Sequence, residues 1–187
     1  HRYSFELYRR LEEETGQSCG FHHVGQLMLA RSRARLEELQ RHHLLARRNG
    51  ITSEWLDRDE TLRRAPILDL GSIHGVLFEH SWGHVDPNGV THAFARGARD
   101  HGAEIRRFTP VRATRPLADG GWEVVTDAGS IRTRHLVNAA GLWAREVAGL
   151  AGLSLPLMPV EHHYFVTEEI PEIRALDFEV PLILDAD

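Results

Sequence analysis

The feature that most constrains the fold is a change of hydrophobic period near residue 103. The apolar residues before it have the spacing of one helix face: Val90, Ala93, Phe94, Gly97 and Ala98. Asp86 with Pro87 is a typical helix start, and Gly102 is a typical end. After it, alternation punctuated by the turn sequences DGG and DAG predicts four strands, at 103–108, 110–117, 121–127 and 130–140. The sequence therefore predicts an α/β chain that contains a β-meander.

The segments on either side of this region add helices and strands of a second sheet. Helices are predicted at 3–15, 31–50 and 59–66, the second of them with Leu36, Leu39 and Leu44 inward. Strands are predicted at 25–30, 53–57, 73–79, 155–169 and 180–185. No internal repeat or low-complexity tract interrupts these elements.

The stretch LVNAAGLWAREVAG, residues 136–149, predicts a strand that passes through a turn of very small residues into a helix. Such a turn at Ala139, Ala140 and Gly141 lets a ligand approach the backbone closely, and it equally suits tight strand–helix packing. Trp143 shares a helical stripe with Val147 and, in isolation, suits a core position. The G-x-G-x-x-G fingerprint does not occur, so these residues alone do not establish a dinucleotide site.

The composition excludes several functions. A net charge of -5 without a basic block argues against nucleic-acid binding, and no apolar run is long enough to cross a membrane. All 22 basic residues are arginine, so a catalytic lysine is excluded and a GC-rich coding bias is indicated. The lone Cys19 suits a reducing compartment. Because the chain starts without methionine and stops after a strand pattern, we expect an internal part of a longer protein.

The 13 histidines raise the question of a metal site. The best candidate is HSWGHVD, with His80, His84 and Asp86 as ligands. Asp86 is expected to cap the following helix, and no second cluster has ligand spacing. The sequence therefore predicts no metal site.

Several segments together resemble the D-amino-acid-oxidase-like family of FAD-dependent amine oxidoreductases. They include GHVDPNGVTHAFARGARDHGAEI, VNAAGLWAREVAGLAG and PLMPVEHHYFVTEEIPEI, and within the family the similarity is greatest to the dimethylglycine and sarcosine dehydrogenase branch. The resemblance implies part of an FAD-binding Rossmann-like domain with an inserted β-meander, plus part of a mixed-sheet substrate domain. It places roughly 80–155 on the FAD side, and roughly 16–79 and 156–187 on the substrate side.

The resemblance also assigns roles to individual residues. Val111 matches a position whose backbone contacts the adenine end of FAD, while its side chain suits a strand core. Ala139, Ala140 and Gly141 match the turn beside the cofactor, and Trp143 matches a flavin-site tryptophan.

On the substrate side, His162 matches a histidine that faces the substrate over the flavin. Tyr164, on the same face of the predicted strand, could assist it or simply be packed. His163 would point to the other face.

The reaction implied is oxidation of the N-methyl group of a small amino acid such as dimethylglycine or sarcosine, with a hydride equivalent passing to flavin N5. The electron acceptor would be oxygen or an electron-transfer flavoprotein, and tetrahydrofolate could bind in a further C-terminal domain. The compartment would be the cytoplasm of a bacterium or the mitochondrial matrix of a eukaryote. Two alternatives stay open, an oxidase of the glycine or D-amino-acid type and a piece that is not catalytic by itself.

Overall fold

A computed structural model describes residues 2–186. The helices are α1 (Arg2–Thr15), α2 (Arg33–Arg48), α3 (Arg58–Arg64), α4 (Pro87–Asp100), α5 (Ala144–Leu150) and α6 (Pro171–Arg174). The strands are β1 (Gln26–Ala30), β2 (Ser53–Leu56), β3 (Gly75–Glu79), β4 (Val111–Pro116), β5 (Trp122–Thr126), β6 (Gly129–Thr133) and β7 (Leu182–Asp185). The chain divides into unit 1, which comprises 1–104 and 167–187, and unit 2, which comprises 105–166.

Unit 1 is built on a four-stranded sheet in the order β2-β3-β1-β7. The β2–β3 and β3–β1 pairs are antiparallel, whereas β1 and β7 are parallel. Strand β1 is buried on both faces, because Leu27 and Leu29 pack into one apolar cluster and Met28 packs with Leu39 of α2 into another. Burial on both faces is typical of a central strand covered by other elements.

A separate apolar cluster of unit 1 forms where α1 packs against α4. Its buried members are Leu11, Cys19 and Ala93. The start of α4 follows the sequence prediction, since Asp86 caps its first turn and Pro87 is the first helical residue. Its end does so too, since His101 is the C-cap and Gly102 follows with a φ of +85°. Cys19 is buried, as a small apolar side chain would be.

Unit 2 is a three-stranded antiparallel meander in the order β4-β5-β6, and α5 packs against β4. Its buried side chains include Thr114, Val124 and Ala148. The predicted combination of an α/β chain with a β-meander and a second, mixed sheet is confirmed.

Two predicted strands, at 103–108 and 155–169, are wrong, and the strand predicted at 130–140 forms only up to Thr133, as part of β6. The inward position predicted for Leu44 is also wrong, since its exposed fraction is 66%. A strand needs a neighbour that accepts and donates its backbone hydrogen bonds, and within residues 2–186 the segments without a strand have none. Alternation of apolar residues reports which side chains suit a half-buried strand, but it does not report whether a partner strand is present.

The helices of residues 2–186 include none that is both long enough and apolar enough to cross a lipid bilayer.

Candidate functional site

The centre of the predicted cofactor site is the turn at 138–144 in unit 2. The amide of Asn138 holds it from both ends, because its Nδ2 donates to the carbonyl of Ala144 at 2.8 Å and its Oδ1 accepts from the N–H of Ala140 at 3.2 Å. The carbonyl of Ala140 accepts from the N–H of Trp143 at 3.0 Å and closes a short 3₁₀ turn over Gly141–Trp143. The N–H of Ala144 also donates to the carbonyl of Gly141. The side chain of Asn138 and two backbone hydrogen bonds therefore fix the shape of the turn.

Gly141 is suited to this turn for a conformational reason. Its φ is +54°, which lies in the left-handed region that side chains disfavour. A Cβ added at this position would meet no atom within 4 Å. The glycine is therefore required by its backbone angle, and the space beside it is open.

Large apolar side chains close to Gly141 in the sequence are exposed. The exposed fraction is 65% for Trp143, 57% for Leu142 and 82% for Val137. The interpretation of Trp143 as a core residue is wrong, since α5 buries Ala148 instead. An indole exposed to this extent beside a bare backbone is able to cover a planar ligand.

Val111 begins β4, and a bulge separates its pairing with Thr126 from that of Ala113 with Val125. Its side chain is exposed, so the expectation that it joins a strand core is wrong. Its neighbour Arg112 donates two hydrogen bonds to the carboxylate of Asp127, at 2.8 and 2.7 Å. The hydrogen bond from Arg112 holds the pKa of Asp127 below its usual value and raises the pKa of Arg112 itself.

The predicted catalytic residues lie in the segment 153–170, which forms neither helix nor strand. His162 and His163 are exposed, and the exposed fraction of Tyr164 is 86%. Because no strand forms here, the alternation that would place the two histidines on opposite faces has no basis in this backbone. In residues 2–186, no hydrogen bond or ion pair connects His162 or Tyr164 to the turn at 138–144.

A cavity of unit 2 lies away from the predicted site. It has a volume of about 570 Å³ and is lined by residues of the β4–β5 turn and of the end of β6, including Asp119, Arg132 and Arg134. None of the predicted site residues lines it. This cavity is an open depression of the surface between a hairpin turn and a strand end, separate from the residues of the predicted site.

The three possible metal ligands that the sequence suggested, His80, His84 and Asp86, do not form a common site. Asp86 accepts from the N–H groups of Asn88 and Gly89, which is the expected helix cap. His80 pairs with Glu54 at 3.0 Å, whereas His84 lies beside His22 and Glu179.

Sequence reasoning did not assign a role to Asn138. The signal was available, because an asparagine followed by small residues at the start of a turn favours a side-chain bond to the backbone two residues on. His22 and Glu179 could not be found in this way, since they lie 157 residues apart in the chain.

Comparison with known proteins places these features in a family. The model of the DAO family, described as FAD dependent oxidoreductase, matches residues 1–187. The chain is 42% identical over 189 residues to mitochondrial dimethylglycine dehydrogenase of Mus musculus, covering all of this chain and 22% of that protein. It is 36% identical to mitochondrial sarcosine dehydrogenase of Homo sapiens, covering 96% of this chain and 21% of that protein.

A solved structure shows the same fold. The L-proline dehydrogenase from P. horikoshii superposes with a TM-score of 0.75 at 27% identity, over 81% of this chain and 40% of that one. The chain thus spans about a fifth of the length of the curated relatives it matches.

Proposed function

We propose, from the premise that this chain belongs to the DAO family of FAD-dependent oxidoreductases, that it is part of an enzyme that oxidises the N-methyl group of a small amino acid such as dimethylglycine or sarcosine. We infer the substrate class from the sequence similarity, over almost the whole chain, to proteins named dimethylglycine and sarcosine dehydrogenase. We also propose that residues 80–155 lie mainly on the FAD side, and that 16–79 and 156–187 lie mainly on the substrate side.

The turn at 138–144 fits a cofactor. The space beside Gly141 is open, Ala139 and Ala140 add little bulk, and Trp143 stands exposed next to them. In this proposal the turn backbone and the indole contact FAD, and the backbone of Val111 contacts its adenine end. When bound, FAD accepts the hydride equivalent at N5, which is chemistry that no side chain of this sequence supplies.

We propose that His162 accepts a proton from the ammonium group of the substrate. An amine gives up a hydride readily only in its neutral form, so a base has to take the ammonium proton first. A ring nitrogen of an imidazole can accept that proton near neutral pH. Exposure of His162 and Tyr164 leaves both side chains accessible to a substrate.

Two electron acceptors fit this chemistry, oxygen and an electron-transfer flavoprotein. Formation of hydrogen peroxide under air favours oxygen, and turnover only with an added acceptor favours the flavoprotein. A tetrahydrofolate-binding part would show as trapping of the one-carbon product. We place the enzyme in the mitochondrial matrix for a eukaryotic source and in the cytoplasm for a bacterial one.

The test is anaerobic stopped-flow reduction by dimethylglycine of the complete flavoprotein that carries this sequence. We expect His162→Ala to retain flavin and to slow flavin reduction by ~10²- to 10⁴-fold, the range of a general base. His163→Ala is the matched control, since it removes the same exposed side chain one residue away, and we expect little change.

Three outcomes contradict parts of this proposal. Equal, small effects of the two variants remove His162 from the reaction. A large effect of His163→Ala alone assigns the proton to the neighbouring residue. Failure of dimethylglycine and sarcosine to reduce the wild-type flavin, with reduction by glycine or a D-amino acid, refutes the substrate class.

A further inference from the structure

Two histidines and one glutamate of unit 1 meet at the protein surface. Nδ1 of His22 and Nε2 of His84 each lie 2.7 Å from a different oxygen of the Glu179 carboxylate. The three possible ligand atoms lie within 4.8 Å of one another. We refer to these residues as the His–His–Glu cluster.

The backbone fixes the two histidines opposite each other. Each of them donates its N–H to the carbonyl of the other, at 2.9 and 3.0 Å, in an antiparallel bridge. Side chains of such directly opposed residues emerge on the same side, with Cβ atoms ~5 Å apart. The two imidazole rings stack with centroids 4.6 Å apart and planes 12° from parallel.

Gly83 makes this approach of the two loops possible. A Cβ at that position would lie 2.1 Å from the carbonyl oxygen of His22, well inside contact distance. Any other residue at 83 would therefore push the loop that carries His84 away from His22. The histidine pair thus forms only because the chain lacks a side chain at this position.

Glu179 comes from a third segment, just before β7. A carboxylate only accepts hydrogen bonds, so the proton in each contact belongs to the imidazole. The hydrogen bond from His22, followed by that from His84, holds the pKa of Glu179 below its usual value. The carboxylate of Glu179 therefore lies between two imidazoles, without an arginine in hydrogen-bond contact with it among the described residues.

Other histidine–carboxylate pairs in unit 1 differ from this cluster. His80 pairs with Glu54, and His42 pairs with Glu79, each as one imidazole on one carboxylate. Two ligands rarely suffice to hold a transition metal, whereas two imidazoles and a carboxylate are a common set for divalent ions of this class. In residues 2–186, the His–His–Glu cluster is the group that reaches three ligands.

We propose that the His–His–Glu cluster binds a divalent transition metal ion of the Zn²⁺ type, through His22 Nδ1, His84 Nε2 and a carboxylate oxygen of Glu179. Because the lone pair of an imidazole nitrogen lies in its ring plane, binding requires the two stacked rings to turn until Nδ1 of His22 and Nε2 of His84 point at the ion. The ion then replaces the two N–H···O hydrogen bonds. Each ring then carries its proton on the other nitrogen or, if cationic, releases one proton to solvent. All three side chains are about half exposed, so an ion and its remaining water ligands have access.

The test is titration of the complete, tag-free protein that carries this sequence with Zn²⁺ by calorimetry, with the Co²⁺ difference absorption as a reporter of nitrogen and oxygen ligation. We expect one ion per chain. We expect Glu179→Gln and His84→Ala to weaken binding by at least ~10- to 100-fold, because even residues that only orient a ligand have effects of this size. Zn²⁺ should also raise the melting temperature of the wild type and not that of these variants.

The matched control is His80→Ala, which removes an exposed histidine from a pair with a single carboxylate. It should bind Zn²⁺ as the wild type does, and circular dichroism should show that every variant is folded. Binding that survives in Glu179→Gln and His84→Ala, or that weakens equally in His80→Ala, would mean adventitious binding by scattered histidines and would overturn the proposal. Absence of stoichiometric binding in the wild type would overturn it as well, and would leave the cluster a hydrogen-bonded clamp of three loops.

Discussion

Replacing Gly141 by alanine separates the two reasons for a glycine at the start of the 3₁₀ turn. The first reason is conformational: an L-residue at a φ of +54° costs roughly 1–2 kcal/mol. The second is the proposed cofactor. The added methyl group meets no protein atom within 4 Å, so it would project into space that the proposal assigns to FAD.

The two contributions can be measured with matched glycines of the same unit. Gly152 has a φ of +72°, and a Cβ there also meets no atom within 4 Å, so Gly152→Ala shares the backbone cost without lying in the turn. Gly149 lies inside α5, where alanine stabilises a helix by roughly 0.5–1 kcal/mol. We expect Gly141→Ala and Gly152→Ala to lose ~1–2 kcal/mol in the free energy of unfolding and Gly149→Ala to gain.

Of these three variants, only Gly141→Ala should lower the amount of flavin that the protein retains. Overpacking by one methyl group costs ~1–3 kcal/mol, which corresponds to ~5- to 150-fold in the dissociation constant. The assay is flavin per chain of the complete protein, from its visible absorbance before and after extensive dialysis, beside urea unfolding of each variant. Wild-type flavin content in Gly141→Ala, or an equal loss in Gly152→Ala, would refute the assignment of the turn to FAD.

Two further predictions concern the stability of each unit. Gly25→Ala should destabilise unit 1 by ~2–5 kcal/mol, because its φ is +73° and its Cβ would lie 2.2 Å from the ring of Phe78. Urea unfolding measures this loss, and Gly102→Ala should lose only the backbone part; equal losses would contradict the clash. In unit 2, Asp127 has a pKa lowered by Arg112, so its contribution is present above the usual aspartate pKa and is lost as the pH falls through the lowered value. Asp127→Asn should therefore flatten the decline of stability between about pH 5 and pH 2, and an unchanged slope would show that this exposed pair adds nothing.

Local signals predicted much of the fold. The cap at Asp86, the glycine Gly102 that follows α4 and the turns of the meander depend on residues close in sequence, and each lies where its pattern indicated. The strand predicted at 155–169 and the second half of the strand predicted at 130–140 are absent for the opposite reason. Their patterns suit a sheet, but a ladder needs a second strand, and periodicity in one segment contains no information about its partner.

The residues of the candidate sites also differ in whether their geometry is local or depends on contacts between distant segments. The small residues of the turn predicted Gly141 and its neighbours, whose geometry is local. The side chains that meet in the His–His–Glu cluster come from three distant segments, and only tertiary structure brings them together. The choice of His162 rests on the family resemblance, and the placement of His163 on the opposite face depended on a strand that does not form. The kinetic comparison of the two variants is therefore needed to separate them.

The parallel pairing of β1 with β7 has a consequence for the chain while it is being synthesised. Gln26 pairs with Leu182, which is synthesised 156 residues later, at an interval of roughly 8–30 s at ~5–20 residues per second. During that time β1, an apolar strand buried on both faces in the finished sheet, can pair with β3 but has no partner on its other edge. An open apolar edge of this kind adds strands from other chains, so the nascent protein is most prone to aggregate while the meander is being made.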